Sequence, residues 1–216
     1  RSLAIAQSGS SFGFACKVAI IPIIANQVLG GVTGAGLLLS AAGLVGLIGA
    51  PLGGFLTDKA GSRVSAAAGG ILSGGALALV PVGLSLKTMD TTITVDGSGS
   101  SSLLSSWGYS PEATAFCILV LLWSIGASAQ GPSLTALGQE NAPLGSEATA
   151  LGLPRAVGDG TYIVAPLILG YVTDKLGDTI PGISCTIAGG AICLGSVALL
   201  LVASSEDTAR TTSTTQ

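Results

Sequence analysis

Apolar residues in this chain fall into six long runs, at 3–28, 34–56, 64–86, 113–138, 147–173 and 182–203, with polar residues gathered between them. Each run reaches the roughly 20 residues that a helix needs to cross a bilayer. Few soluble folds could absorb so many, so the pattern predicts an all-α integral membrane protein built as a six-helix transmembrane bundle. Pro22 interrupts the backbone ladder and is expected to kink or end regular helix in the outer third of the first run. The short connection from Gly30 to Gly34 predicts that the first two helices are antiparallel neighbours. In the second run Gly43, Gly46, Gly49 and Gly53 form a smooth groove at helical spacing, and Pro51 loosens its end. In the third, Gly70-x-x-x-Gly74 is the close-packing pattern of membrane helices, read as interior packing.

The polar stretches complete the layout. Residues 87–112 are rich in Ser, Thr and Gly and predict one external loop, with Trp107 and Tyr109 as interfacial anchors. Residues 204–216 predict a disordered tail. Lys59 and Arg63 place the connection between the second and third helices in the cytoplasm by the bias of basic residues in short loops. Both ends of the chain then also face the cytoplasm.

Composition narrows the function classes. The 216 residues are 49% apolar and only 9% charged, where soluble domains average about 25% charged. The net charge of −3 offers no polycationic surface, so no nucleic-acid partner is expected. The four cysteines, Cys16, Cys117, Cys185 and Cys193, lie inside apolar runs without C-x-x-C spacing and read as packing residues. With no histidine there is no Ser-His or Cys-His pair, and no G-x-x-x-x-G-K-[ST] loop is present to cradle a nucleotide. No enzyme activity, metal or cofactor is expected. The chain begins at Arg1 and is expected to be a piece of something longer.

Three charges stand away from the ends of the apolar runs, where each costs roughly 2.5–3.5 kcal/mol on insertion and is usually paired or functional. Lys17 ends a stripe of Gln7, Ser10, Phe14 and Lys17 along one face of the first helix. It binds an anionic group, pairs with Asp159 on another helix, or snorkels to an interface. Arg155 and Asp159 are four apart in the fifth helix and can meet on one face. At ~1.5 Å per residue they lie roughly 12 and 18 Å inside its cytoplasmic boundary. They are either a self-neutralised pair or an ion pair lining a wet cavity, made and broken as the protein changes shape.

The run Gly54-Phe55-Leu56-Thr57-Asp58-Lys59-Ala60-Gly61-Ser62-Arg63 fits G-x-x-x-D-[RK]-x-G-x-[RK] and resembles the hallmark turn of the major facilitator superfamily of transporters, with Ser62 where a second base is usual. A related phrase, Gly170-Tyr171-Val172-Thr173-Asp174-Lys175-Leu176-Gly177, follows the fifth run. Gly152-Leu153-Pro154-Arg155-Ala156-Val157-Gly158-Asp159-Gly160, with Pro166 and Gly170 beyond it, resembles the penultimate helix of that family's carboxy-terminal half. The resemblance implies half of a twelve-helix fold made of three-helix repeats, rocking about a midplane site against an amino-terminal six-helix half that this chain lacks. It implies a secondary transporter of a small solute by alternating access, with a coupling ion or proton among its partners. Gln7, Ser10, Phe14, Lys17 and Gln130 would line the substrate path. Gly54, Asp58, Lys59, Gly61 and Arg63, with Arg155, Asp159, Pro166 and Gly170, would serve gating or coupling. Two alternatives remain open: a receptor or scaffold that kept the bundle and lost the cycle, and a half-size protein acting as a homodimer.

Overall fold

The computed structural model describes residues 2–90, 110–142, 145, 147–177 and 179–213, and among these all regular structure is helical. Eight helices follow in order: α1 (Ser2–Ala19), α2 (Ile21–Val28), α3 (Val32–Ala60), α4 (Ser62–Ala78), α5 (Val80–Asp90), α6 (Pro111–Glu140), α7 (Glu147–Leu176) and α8 (Ile183–Ser213). Among the described residues five stretches are long and apolar enough to cross a membrane, six when the bent pair α1–α2 counts as one span. The architecture fits a multi-pass membrane helical bundle. Most of the expected loop, with Trp107 and Tyr109, lies outside the described residues. So do the last three residues of the tail, whose backbone up to Ser213 continues α8.

Proline sets the breaks. The first span bends by 41° between α1 and α2. Pro22 sits in the first turn of α2, where its missing N–H removes no helical bond. The third span turns at Leu79, between α4 and α5, just before Pro81, which has no N–H to offer the carbonyl of Leu77. Gly61 links α3 to α4 with φ +89°, a left-handed backbone that side chains rarely adopt. Ser110 caps α6, its Oγ accepting from the N–H of Ala113 at 3.3 Å.

Helices pair in a definite order. The most extensive packing joins α4 to α6, α3 to α6, α4 to α8, α1 to α8 and α1 to α7. The first two spans touch mainly where α2 meets α3, so they are neighbours at one end, while α3 lies along α6. Small residues permit these approaches: a Cβ on Gly49 would sit 2.8 Å from the Ile125 carbonyl, and one on Gly53 would sit 2.5 Å from Ala129 Cα. Gly43, by contrast, faces open space. Gly70 and Gly74 pack inside, against α8. Leu47 (71% exposed) and Leu167 (73%) mark the outer faces of α3 and α7, which suit lipid or another helical bundle.

Cys16 and Cys185 join α1 to α8 with their buried Sγ atoms 3.5 Å apart. Copper–phenanthroline, an oxidant that enters membranes, is expected to link them, giving a shifted band on a non-reducing gel. The Cys16→Ser variant should abolish that band; a band that persists would place these two helices differently.

Candidate functional site

A cavity of about 580 Å³ opens between α1, α6 and α7. Its walls carry Gln7, Ser10 and Phe14 from α1, Gln130 from α6, and Arg155 and Asp159 from α7. The spacing of Gln7, Ser10 and Phe14 puts them on one face of α1, and that face looks into the cavity. Arg155 and Asp159, one turn apart on α7, present both charges to the same space and are themselves exposed. No salt bridge joins them, and neither makes a hydrogen bond to any described residue. Gly158, between them, faces α1 so closely that a Cβ there would sit 2.8 Å from Ser11 Oγ.

The floor is a polar tie between helices. Ser10 Oγ donates to Gln130 Oε1 at 2.7 Å, and both side chains are buried. Among the described residues Gln130 Nε2 has no partner, nor does the indole Nε1 of buried Trp123. A buried N–H without a partner costs about 1–3 kcal/mol, so neither group is present for hydrogen bonding within the bundle as described.

Lys17 lies apart from this cavity. Its Nζ sits 5.6 Å from the centre of the Trp123 ring, and Phe14 meets the same ring edge-on at 6.0 Å. Among the described residues the Lys17–Asp159 pairing weighed from the sequence does not form, and the ammonium rests against the Trp123 ring instead. An aromatic face supplies part of what an acid would.

The remaining expected residues occupy two other places. Asp58 and Lys59 are exposed at the end of α3, with Lys59 Nζ 4.4 Å from the centre of the Phe55 ring. Gly54 on α3, Gly61 and Arg63 belong to the same turn, whereas Pro166 and Gly170 lie farther along α7, beyond the cavity. Behind the turn Ser133 Oγ lies 2.8 Å from both Thr57 Oγ1 and Ser65 Oγ, tying α3, α4 and α6 together. Ser62, buried where the resemblance implies a base, donates to Glu140 Oε2 at 2.6 Å.

Sequence reasoning passed over Ser11, Thr135 and Tyr162, which also line the cavity, and Glu140. Tyr162 was within reach, since 155, 159 and 162 share a helical face. The Ser62–Glu140 contact joins distant parts of the chain and leaves no local signal. Among the described residues no three His, Cys, Asp or Glu side chains cluster as metal ligands. No protein-family model, curated protein or solved structure matches the chain.

Proposed function

We propose that this chain is a six-helix half of a secondary transporter of the major facilitator type, moving a small solute by alternating access. The observation that carries the proposal is the cavity, in which polar residues of α1 and α6 meet Arg155 and Asp159 of α7, two charges without a partner among the described residues. Uncompensated charges within membrane-spanning helices mark substrate or ion pathways by default.

Helix pairing supports three-helix repeats. Exchanging the first three spans for the last three carries α3-on-α6 into α7-on-α1 and α4-on-α6 into α8-on-α1, and returns α4-on-α8 to itself. An odd number of spans per unit makes the two units inverted. The two T-D-K phrases behave alike. Thr57 donates to the Gly53 carbonyl at 2.8 Å, and Ser65 of the next helix to that same carbonyl at 3.3 Å. Thr173 and Ser184 both donate to the Leu169 carbonyl at 2.9 Å. In this reading the Asp58–Arg63 turn faces the cytoplasm, and the outer faces of α3 and α7 meet a second six-helix half.

The full-length protein in liposomes is expected to carry a solute saturably from a panel of labelled organic compounds. Asp159→Asn keeps the side chain's shape and removes its proton, so flux in that variant should no longer follow an imposed pH gradient. Flux that follows the gradient as in the parent would remove Asp159 from coupling. Folded protein with no flux for any solute would leave the receptor or scaffold reading in its place.

A further inference from the structure

We infer that the cavity between α1, α6 and α7 binds a small zwitterion of the α-amino-acid type, its carboxylate held by Arg155 and its ammonium by Asp159. The inference rests on the solute-transport reading and names the class of solute.

Charge balance is the first argument. Among the described residues Arg155 and Asp159 are the only charged side chains lining the cavity, one of each sign. Neither is paired among the described residues, where no salt bridge or hydrogen bond engages either one. An anion would leave Asp159 facing like charge, a cation would do the same to Arg155, and a neutral solute would leave both unanswered. A zwitterion neutralises both at once.

Local geometry keeps the two charges available. The basic residue precedes the acid by four, which is the weaker of the two orders for an ion pair on a helix. Their Cβ atoms lie roughly 5–6 Å apart at that spacing, so a ligand carrying both charges on neighbouring atoms can sit between the two head groups. The planar guanidinium suits a carboxylate through two parallel N–H···O bonds.

The rest of the lining fits the same ligand. Gln7, Ser11 and Tyr162 offer neutral hydrogen bonding, while Leu134, Leu151 and Phe14 offer apolar surface to a side chain. At about 580 Å³ the cavity falls within the roughly 300–1,000 Å³ typical of small-molecule sites. A bound ammonium would occupy the Asp159 oxygens that a coupling proton would otherwise take, so solute and proton would compete for one carboxylate.

The test is equilibrium binding to the full-length protein in lipid nanodiscs, with alanine, leucine and glutamine as probes. Leucinamide, which lacks the negative charge, and 4-methylpentanoate, which lacks the positive one, complete the set. At least one amino acid should bind saturably. Leucine should bind at least tenfold more tightly than either single-charge analogue. Arg155→Gln should erase the preference for leucine over leucinamide, and Asp159→Asn the preference over 4-methylpentanoate. Both residues are exposed, Asp159→Asn is isosteric and Arg155→Gln only shortens an exposed side chain, and a monodisperse size-exclusion profile checks that each variant is folded. Binding by none of the three amino acids, or preferences unchanged in the variants, overturns the inference. Amino-acid binding without flux would sink the transporter reading alone, and flux of another solute without amino-acid binding would sink this inference alone.

Discussion

Gly189→Leu should prevent the bundle from assembling, with little monodisperse protein recovered in mild detergent. The reason lies at the crossing of α4 and α8, one of the most extensive contacts in the protein. A Cβ on Gly189 would run into the carbonyl oxygen of Gly74 and come within 2.5 Å of Ala78 N. The clash is reciprocal, since a Cβ on Gly74 would sit 2.7 Å from the Gly189 carbonyl oxygen. Both obstacles are backbone, so no rotamer change relieves them, and the helices must separate. Separation would open the packing around Ser73, Leu77, Cys185 and Ile192, all buried. Overpacking of this kind costs typically 1–3 kcal/mol and more where backbone must move. In a membrane, where apolar burial does not itself drive helices together, close packing carries much of the association. Gly190→Leu is the control: it lies one residue along the same helix, with nothing within 4 Å of its Cβ position. Equal recovery of the two variants would mean that this crossing is looser than described.

How the bundle is assembled was much harder to read from the chain than what it is made of. Helix count and approximate ends follow from apolar run length alone, because the bilayer imposes that length on every span. Pro22 announced its bend, since a proline's effect on the ladder is local. Pro81 carries the same signal and went unread within an apolar run. Partner choice is different. A helix bathed in lipid is apolar on its outer face as well as its inner one, so hydrophobic periodicity does not say which face meets protein. The short connection from Gly30 to Gly34 predicts that the first two spans are neighbours, and α2 does meet α3, but it gives no sign that α3 runs along α6, where its glycines fit Ile125 and Ala129.

The cavity divides in the same way. Helical spacing put Gln7, Ser10 and Phe14 on one face and Arg155 beside Asp159 on another. That these two faces look at each other, with Gln130 between them, depends on tertiary packing. Lys17 shows the limit of the stripe argument. It continues the spacing of Gln7 and Phe14, but Trp123 from α6 captures its ammonium, so the same face serves cavity and core in succession.

Trp123 is therefore the second position where a large effect is expected. Among the described residues it is the largest fully buried side chain, 1% exposed, and it sits in the core with Phe116, Val120 and Ile192. Trp123→Ala should destabilise the bundle by about 3–5 kcal/mol, the usual range for emptying a buried tryptophan site. Trp123→Phe should lose much less, about 1.5 kcal/mol or under, if the neighbours close over the smaller ring. The indole N–H has no hydrogen-bond partner among the described residues, so phenylalanine gives up volume and aromatic surface but no polar contact there. A phenyl ring also keeps a face for Lys17 and an edge contact for Phe14, which alanine removes. Because Phe14 lines the cavity and rests on this ring, Trp123→Ala should weaken solute binding even in the fraction that stays folded. Unfolding the full-length protein in increasing detergent denaturant, read by helical circular dichroism, measures the order of the three proteins. Equal losses for alanine and phenylalanine would show that the indole N–H does the stabilising, through a partner the described packing does not contain.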